Sequence, residues 1–301
     1  MTLQEQIRAN RWRTLLLFVL FLALFALLGL VAAARFGIDA LFVVGVVAIV
    51  YGVISYFASG SMIASMAGAQ PVSKEEYPEL VRVVENVSIA AGLERTPPVY
   101  VVQDDAPNAF AAGRDPDHAY VAATTGLLRL MDKRELEGVI AHEVGHVRNR
   151  DVRLMSLAAV LVGVIALLAD VMIRMSLFGG GRRRDSNNPI FMILAFAGLL
   201  LAPVAASLIQ MALSRRREYL ADAAAAEITG DAEGLALALR KLDNDPQQLR
   251  NLNRATAHLY IEAPLNKASG LSGALSGIFD THPSLQSRIA RLEEAGGFTL
   301  A

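Results

Sequence analysis

The sequence predicts a mainly α protein with a small β-sheet, an α+β domain attached to about four membrane-spanning helices. Three observations predict it. Of 301 residues, 54% are hydrophobic and the mean hydropathy is +0.40, too apolar for an ordinary soluble domain. Four stretches each come near the ~20 apolar residues that a helix needs to cross ~30 Å of hydrocarbon. Between and after them lie two hydrophilic segments in which helical periodicity alternates with short β-branched runs.

The first two stretches run from about Thr14 to Ala34 and from about Ile38 to Phe57. The turn at Arg35–Phe36–Gly37 makes them a helical hairpin, the first of four expected parts, residues 1–57. The first stretch is long for a signal sequence and a second span follows at once, so an uncleaved anchor is expected. Trp12 at its start suits an interfacial anchor.

Residues 58–153 form the first hydrophilic part. Glu75 to Ala91 has the spacing of an amphipathic helix, with Leu80, Val83, Val84 and Val87 on one side. Pro97 and Pro98 then stop any helix. Val99–Val102, Asn108–Gly113 and Ala119–Ala123 read as strands, the last two joined by the turn-rich RDPDH. Asp132 followed by Glu135 signals a helix start. Leu136, Val139, Ile140 and Val144 continue at helical spacing.

Residues 154–213 form a second hairpin, spans three (about Leu154–Phe178) and four (about Ile190–Leu213). Asp170 and Arg174 interrupt the third at i, i+4, a spacing for mutual neutralisation near an interface. Pro203 kinks the fourth. Residues 214–301 return to polar sequence, with helices expected over 216–228, 232–242 and 284–295. The two polar parts together make roughly 180 residues, one domain of ordinary size interrupted by spans three and four.

Arginines at 8, 11 and 13, at 148, 150 and 153, and at 215, 216 and 217 fall on one side if all four spans cross. The positive-inside rule makes that side the cytoplasm. The loop GGGRRRDSNNP contradicts this, since Arg182, Arg183 and Arg184 would lie outside. Either the rule tolerates that loop, or the second hairpin does not cross fully.

Composition narrows the chemistry. A formal net charge of −1 gives no reason to expect nucleic acid. With no cysteine there is no disulfide framework and no thiolate metal site, so any metal must be held by histidine and carboxylate. Histidine is scarce, five in the chain, yet VIAHEVGHVRNRD holds two of them four apart. On a helix, His142 and His146 share a face and can hold one Zn²⁺. Glu143, about 100° around the helix, stands beside the metal, placed to take a proton from a water there. This is the H-E-x-x-H arrangement of metalloproteases.

A third ligand is needed. SRRREYLADAAAAE places Glu218 and Asp222 four apart. That spacing lets Glu218 complete the site while Asp222 fixes the tautomer of a liganding histidine. Two histidines, one glutamate and an open position form a catalytic rather than a structural zinc set. Taken alone, the same stretch also reads as the solvated face of an alanine-rich helix.

HEVGH followed by RNRD, SRRREYLAD after two apolar spans, and THPS with an arginine six residues beyond its histidine resemble the HtpX family of membrane zinc endopeptidases, relatives of the CAAX prenyl proteases. The resemblance covers essentially the whole chain. It implies a gluzincin-like domain binding one Zn²⁺ per chain and cleaving misfolded or damaged membrane proteins, or unfolded polypeptide, without ATP at the cytoplasmic face of the cell membrane. His142, His146 and Glu218 match the family's zinc ligands and Glu143 its catalytic base. DDAPNAFAAG resembles the edge strand beside the active site, where Asn108 would bond the substrate backbone. Read alone, Asn108 is equally a turn residue after Pro107. His282 and Arg288 resemble a C-terminal pair that helps hold the tetrahedral oxyanion; read alone, His282 is a His-Pro turn at a helix start. If the histidine helix runs unbroken into span three, the metal stands ~10–15 Å from the membrane surface.

Overall fold

The computed structural model describes residues 3–161, 215–245 and 283–300. The Gly179–Asn188 loop, span four, span three beyond residue 161 and His282 lie outside them. Helix α1 (Leu3–Phe36) and helix α2 (Ile38–Ala67) form an antiparallel pair joined at Gly37, whose φ of 93° takes the sharp reversal. The pair is stitched by apolar and aromatic contacts. Phe18 faces Tyr56 at 6.4 Å between ring centroids, and Phe21 faces Tyr51 at 6.1 Å. Among the described residues, Leu41–Ala67 is the one helical stretch long and apolar enough to cross a membrane, with a mean hydropathy of 2.4.

Helix α2 runs ten residues past the expected end of its span, Ala67 against Phe57. Hydropathy could not show that boundary, because the added turns are also apolar; they are buried by protein. Ile63, Ala64 and Ala67 pack with Phe110, Ala112, Tyr120 and Ala122 of the sheet. Gly68, in left-handed geometry (φ 67°), ends the helix and turns the chain into strand β1 (Ala69–Pro71).

The sheet has four strands in the order β1-β2-β4-β3. Strand β2 (Val99–Val102) pairs antiparallel with β1 and parallel with β4 (Ala119–Thr124). Strand β3 (Ala109–Gly113) pairs antiparallel with β4, Phe110 opposite Ala122, and forms the sheet edge. Every residue of β3 and β4 is buried. One face, Ala109, Ala111, Val121 and Ala123, packs on helices α3 (Pro78–Ala90) and α5 (Lys133–Arg148). The other meets the end of α2 and the helix over residues 151–161, here α6. Both faces being covered, the strands read as apolar runs rather than as alternation.

The expected helices form, with α3 shorter at its start because Pro78 occupies the first turn. Strand β1 and helix α4 (Thr125–Leu130) were not expected. The first is three residues ending in proline, and the second is a single capped turn and a half, its Thr124 side chain accepting from Leu127 N–H. Helices α7 (Arg215–Thr229), α8 (Ala232–Asn244) and α9 (Leu285–Gly296) follow among the described residues.

Candidate active site

Helix α5 is fixed at its start by the expected capping box: Glu135 N–H donates to Asp132 Oδ1 at 2.9 Å and Asp132 N–H to Glu135 Oε2 at 2.8 Å. Lys241 of α8 adds an ion pair to Glu135 at 2.6 Å. The helix is then enclosed by α3, α7, α8 and β3. Two glycines allow this crowding. A Cβ on Gly138 would stand 2.8 Å from Leu235 Cα, and one on Gly145 would stand 3.3 Å from Ala224 Cβ. Gly145 therefore lets α7 cross close to the turn that carries both histidines.

That crossing delivers Glu218. His142 Nε2 lies 3.7 Å from Glu218 Oε2, and His146 Nε2 lies 3.7 Å from Glu218 Oε1. The imidazoles stand nearly perpendicular, at 86° and 4.8 Å between centroids. One donor atom from each of the three residues lies within 4.8 Å of the others, and all three residues are buried. Among the described residues this is the one group of histidine and carboxylate with such convergence.

The far nitrogens are also engaged. His142 Nδ1 is 2.9 Å from Asp222 Oδ1, and His146 Nδ1 is 3.1 Å from Asp151 Oδ2. With each Nδ1–H given to a carboxylate, each Nε2 keeps its lone pair for the space before Glu218. Two such nitrogens and one carboxylate oxygen suit a divalent cation. Asp222 is gripped by Arg288, whose Nε donates to Oδ2 at 2.9 Å and whose Nη2 donates to Oδ1 at 2.6 Å. Nη1 of the same guanidinium reaches to 3.9 Å from Glu218.

Electrostatics follow from this enclosure. Burial and the Arg288 charge oppose an imidazolium at His142, but the Asp222 and Glu218 carboxylates outweigh them and raise its pKa to about 9. Burial raises the Glu143 carboxyl above its ordinary range, against the pull of His142 and His146. Burial also acts to raise Asp222, but Arg288 and His142 bring it below its ordinary value.

Glu143 is 2% exposed, beside the three donors. Asn108 stands just ahead of edge strand β3; its N–H donates to Thr124 Oγ1 at 2.8 Å, and its side-chain oxygen accepts from Ala109 N–H at 3.0 Å. Arg288, which the resemblance pairs with His282 at the substrate, is 0% exposed and faces Asp222 and His142. Asp151 was missed. It lies five residues after His146, outside the i, i+4 pattern, and reaches back only because α5 breaks at Arg150, with φ of 59°. The unbroken run into span three is thereby corrected. The one signal in the sequence was an acid directly after an arginine-rich helix end.

A short mixed sheet packed on a histidine helix, with a crossing helix that supplies a buried acid to the same point, defines a metal-dependent peptidase. The model of peptidase family M48 matches residues 74–296, and the chain belongs to that family; it is a hydrolase of peptide bonds. A protease HtpX homolog of Streptococcus gordonii is 42% identical over 302 residues, covering 96% of this chain and 99% of its own length. Another from Dictyoglomus thermophilum is 43% identical over 300 residues, covering 98% and 95%. The crystal structure of S. mikatae Ste24p shares the fold, with a TM-score of 0.50 at 19% identity; the match covers 90% of this chain and 62% of that one.

Proposed function

We propose that this protein is a zinc-dependent integral-membrane endopeptidase that cuts misfolded or damaged membrane proteins at the cytoplasmic face. The observation that carries the reading is the convergence of His142, His146 and Glu218, with buried Glu143 beside them. Those three side chains would hold one Zn²⁺, which when bound supplies a Lewis acid for the scissile carbonyl and for water. Glu143 takes a proton from the attacking water and returns it to the leaving nitrogen. Burial raises its affinity for a proton, which favours holding that proton between the two transfers. Asp222 holds the His142 tautomer, and Arg288 neutralises Asp222 inside the protein. The edge strand β3 offers backbone for an extended substrate to pair with, with Asn108 at its head. His282 remains the proposed oxyanion donor.

The membrane reading is supported by α2. Phe42, Val43, Val46 and Phe57 are each more than 60% exposed, a surface that hydrocarbon would cover. Membrane-held substrates then meet the edge strand close to the bilayer, because a Cβ on Gly60 of α2 would lie 3.6 Å from Gly113 Cα.

The test is purification in detergent with a chelator present, followed by casein cleavage on adding Zn²⁺, for the wild type and Glu143→Gln. Zinc-dependent cleavage by the wild type alone is expected. Equal cleavage by both proteins would end the assignment.

A further inference from the structure

We infer that Asp151 is the positioning residue for His146, held in place by the left-handed turn at Arg150. The inference rests on the reading of His142, His146 and Glu218 as the metal site.

Three observations carry it. First, the contact is made between enclosed groups: Asp151 Oδ2 lies 3.1 Å from His146 Nδ1, with Asp151 0% and His146 3% exposed. No bulk water competes for that imidazole N–H, so the carboxylate determines which nitrogen carries the hydrogen. Second, the backbone takes an unfavourable form to make the contact. Arg150 is the one non-glycine residue with positive φ among those described, a conformation that side chains with a Cβ rarely adopt. The break there ends α5 and swings the first residue of α6 back under the ring. Third, Arg217 lies 3% exposed next in sequence to Glu218, and its charge interacts favourably with Asp151.

The two imidazoles are thus supported alike. His142 leans on Asp222, which is neutralised by Arg288. His146 leans on Asp151, beside Arg217. Each support crosses between elements, so neither ring can rotate without disturbing a buried charge.

Helix α6 does a second task. Ser156 Oγ, five residues after Asp151, accepts the Gly113 N–H at 2.9 Å, and Arg153 Nε donates to Arg114 O at 2.7 Å. One helix therefore fixes both the second histidine and the end of the edge strand. The registry between metal and substrate strand passes through it.

The experiment uses the full chain in detergent, with Glu143→Gln as the parent to prevent self-digestion. Asp151→Ser keeps an oxygen at the start of α6 but is too short to reach the ring; Asp151→Asn keeps the acceptor and loses the charge. Zinc affinity is measured by competition with a fluorescent chelator, and Tm is measured without metal. Asp151→Ser is expected to weaken zinc binding about ten- to a hundredfold, with the metal-free Tm nearly unchanged. Asp151→Asn is expected to weaken it about threefold to tenfold, and this variant carries the test if the serine one fails to fold. Parental affinity in the folded variants overturns the assignment, as does a fall in metal-free Tm with affinity unchanged. A parent that takes up no zinc overturns the metal-site reading and this assignment together; a parent that binds while both variants bind equally well overturns this assignment alone.

Discussion

Glu143 lies between two histidines on one helix, yet its environment is set by other elements. Its carboxyl is pushed up mainly by burial, on a helix that α3, α7, α8 and β3 enclose. Replacing it with glutamine keeps shape and hydrogen bonding but removes the base. Peptide hydrolysis is expected to fall about 10²- to 10⁴-fold while zinc uptake persists, checked by initial rates beside metal content. Arg288 is the counterpart in charge. Its guanidinium is wholly enclosed and holds Asp222 at 2.6 Å. Arg288→Met would leave a buried carboxylate without its partner, which costs about 3–5 kcal/mol; chemical denaturation of the purified protein measures this. Residues on one helix face were legible in the sequence: His142 with His146, and Glu218 with Asp222, each at i, i+4. Asp151 and the inward course of Arg288 were not, because both depend on where another backbone passes.

At the level of elements, the contact between α5 and α8 is set by Gly138, which accepts Leu235 at a distance no Cβ would tolerate. Alanine is the better helix former by about 1 kcal/mol, yet Gly138→Ala is expected to destabilise by about 1–3 kcal/mol through overpacking. Thermal unfolding gives the sign directly. The start of α8 supplies a pH probe. Asp231 caps it, accepting from Gly234 N–H at 3.1 Å, and receives Arg134 Nη2 at 2.8 Å. The Arg134 hydrogen bonds hold its carboxyl below the usual range. The stability it adds is therefore complete above its unfolded pKa of ~3.9 and is lost as pH falls through the lower folded value. Asp231→Asn, which still caps, is expected to flatten the fall in stability below about pH 4, followed by Tm against pH. The capping box at Asp132 and Glu135 was readable because it is wholly local. The end of α2 was not: apolar residues met by lipid and apolar residues met by a sheet look alike in one dimension.

For the molecule as a whole, the proposed metal site would couple ion binding to the fold. An ion bound only by the native state stabilises it by mass action, about 2.7 kcal/mol at a hundredfold excess over Kd. Chelation is expected to lower Tm and added Zn²⁺ to restore it, while Glu218→Gln abolishes the response. The helical pair α1 and α2 was legible because its apolar signal is long, and the helices that carry His142, His146 and Glu218 because their periodicity is local. The mixed sheet order was not, since parallel pairing of β2 with β4 is fixed by packing on both faces rather than by either strand's own sequence. The course of α2 has a practical bearing on any shortened version of this chain. Begun just after Gly68, such a fragment would strip Ile63, Ala64 and Ala67 from Phe110 and Tyr120 and bare a greasy sheet surface prone to aggregation. Begun near Ala58, it would carry those last helical turns along as its own cover.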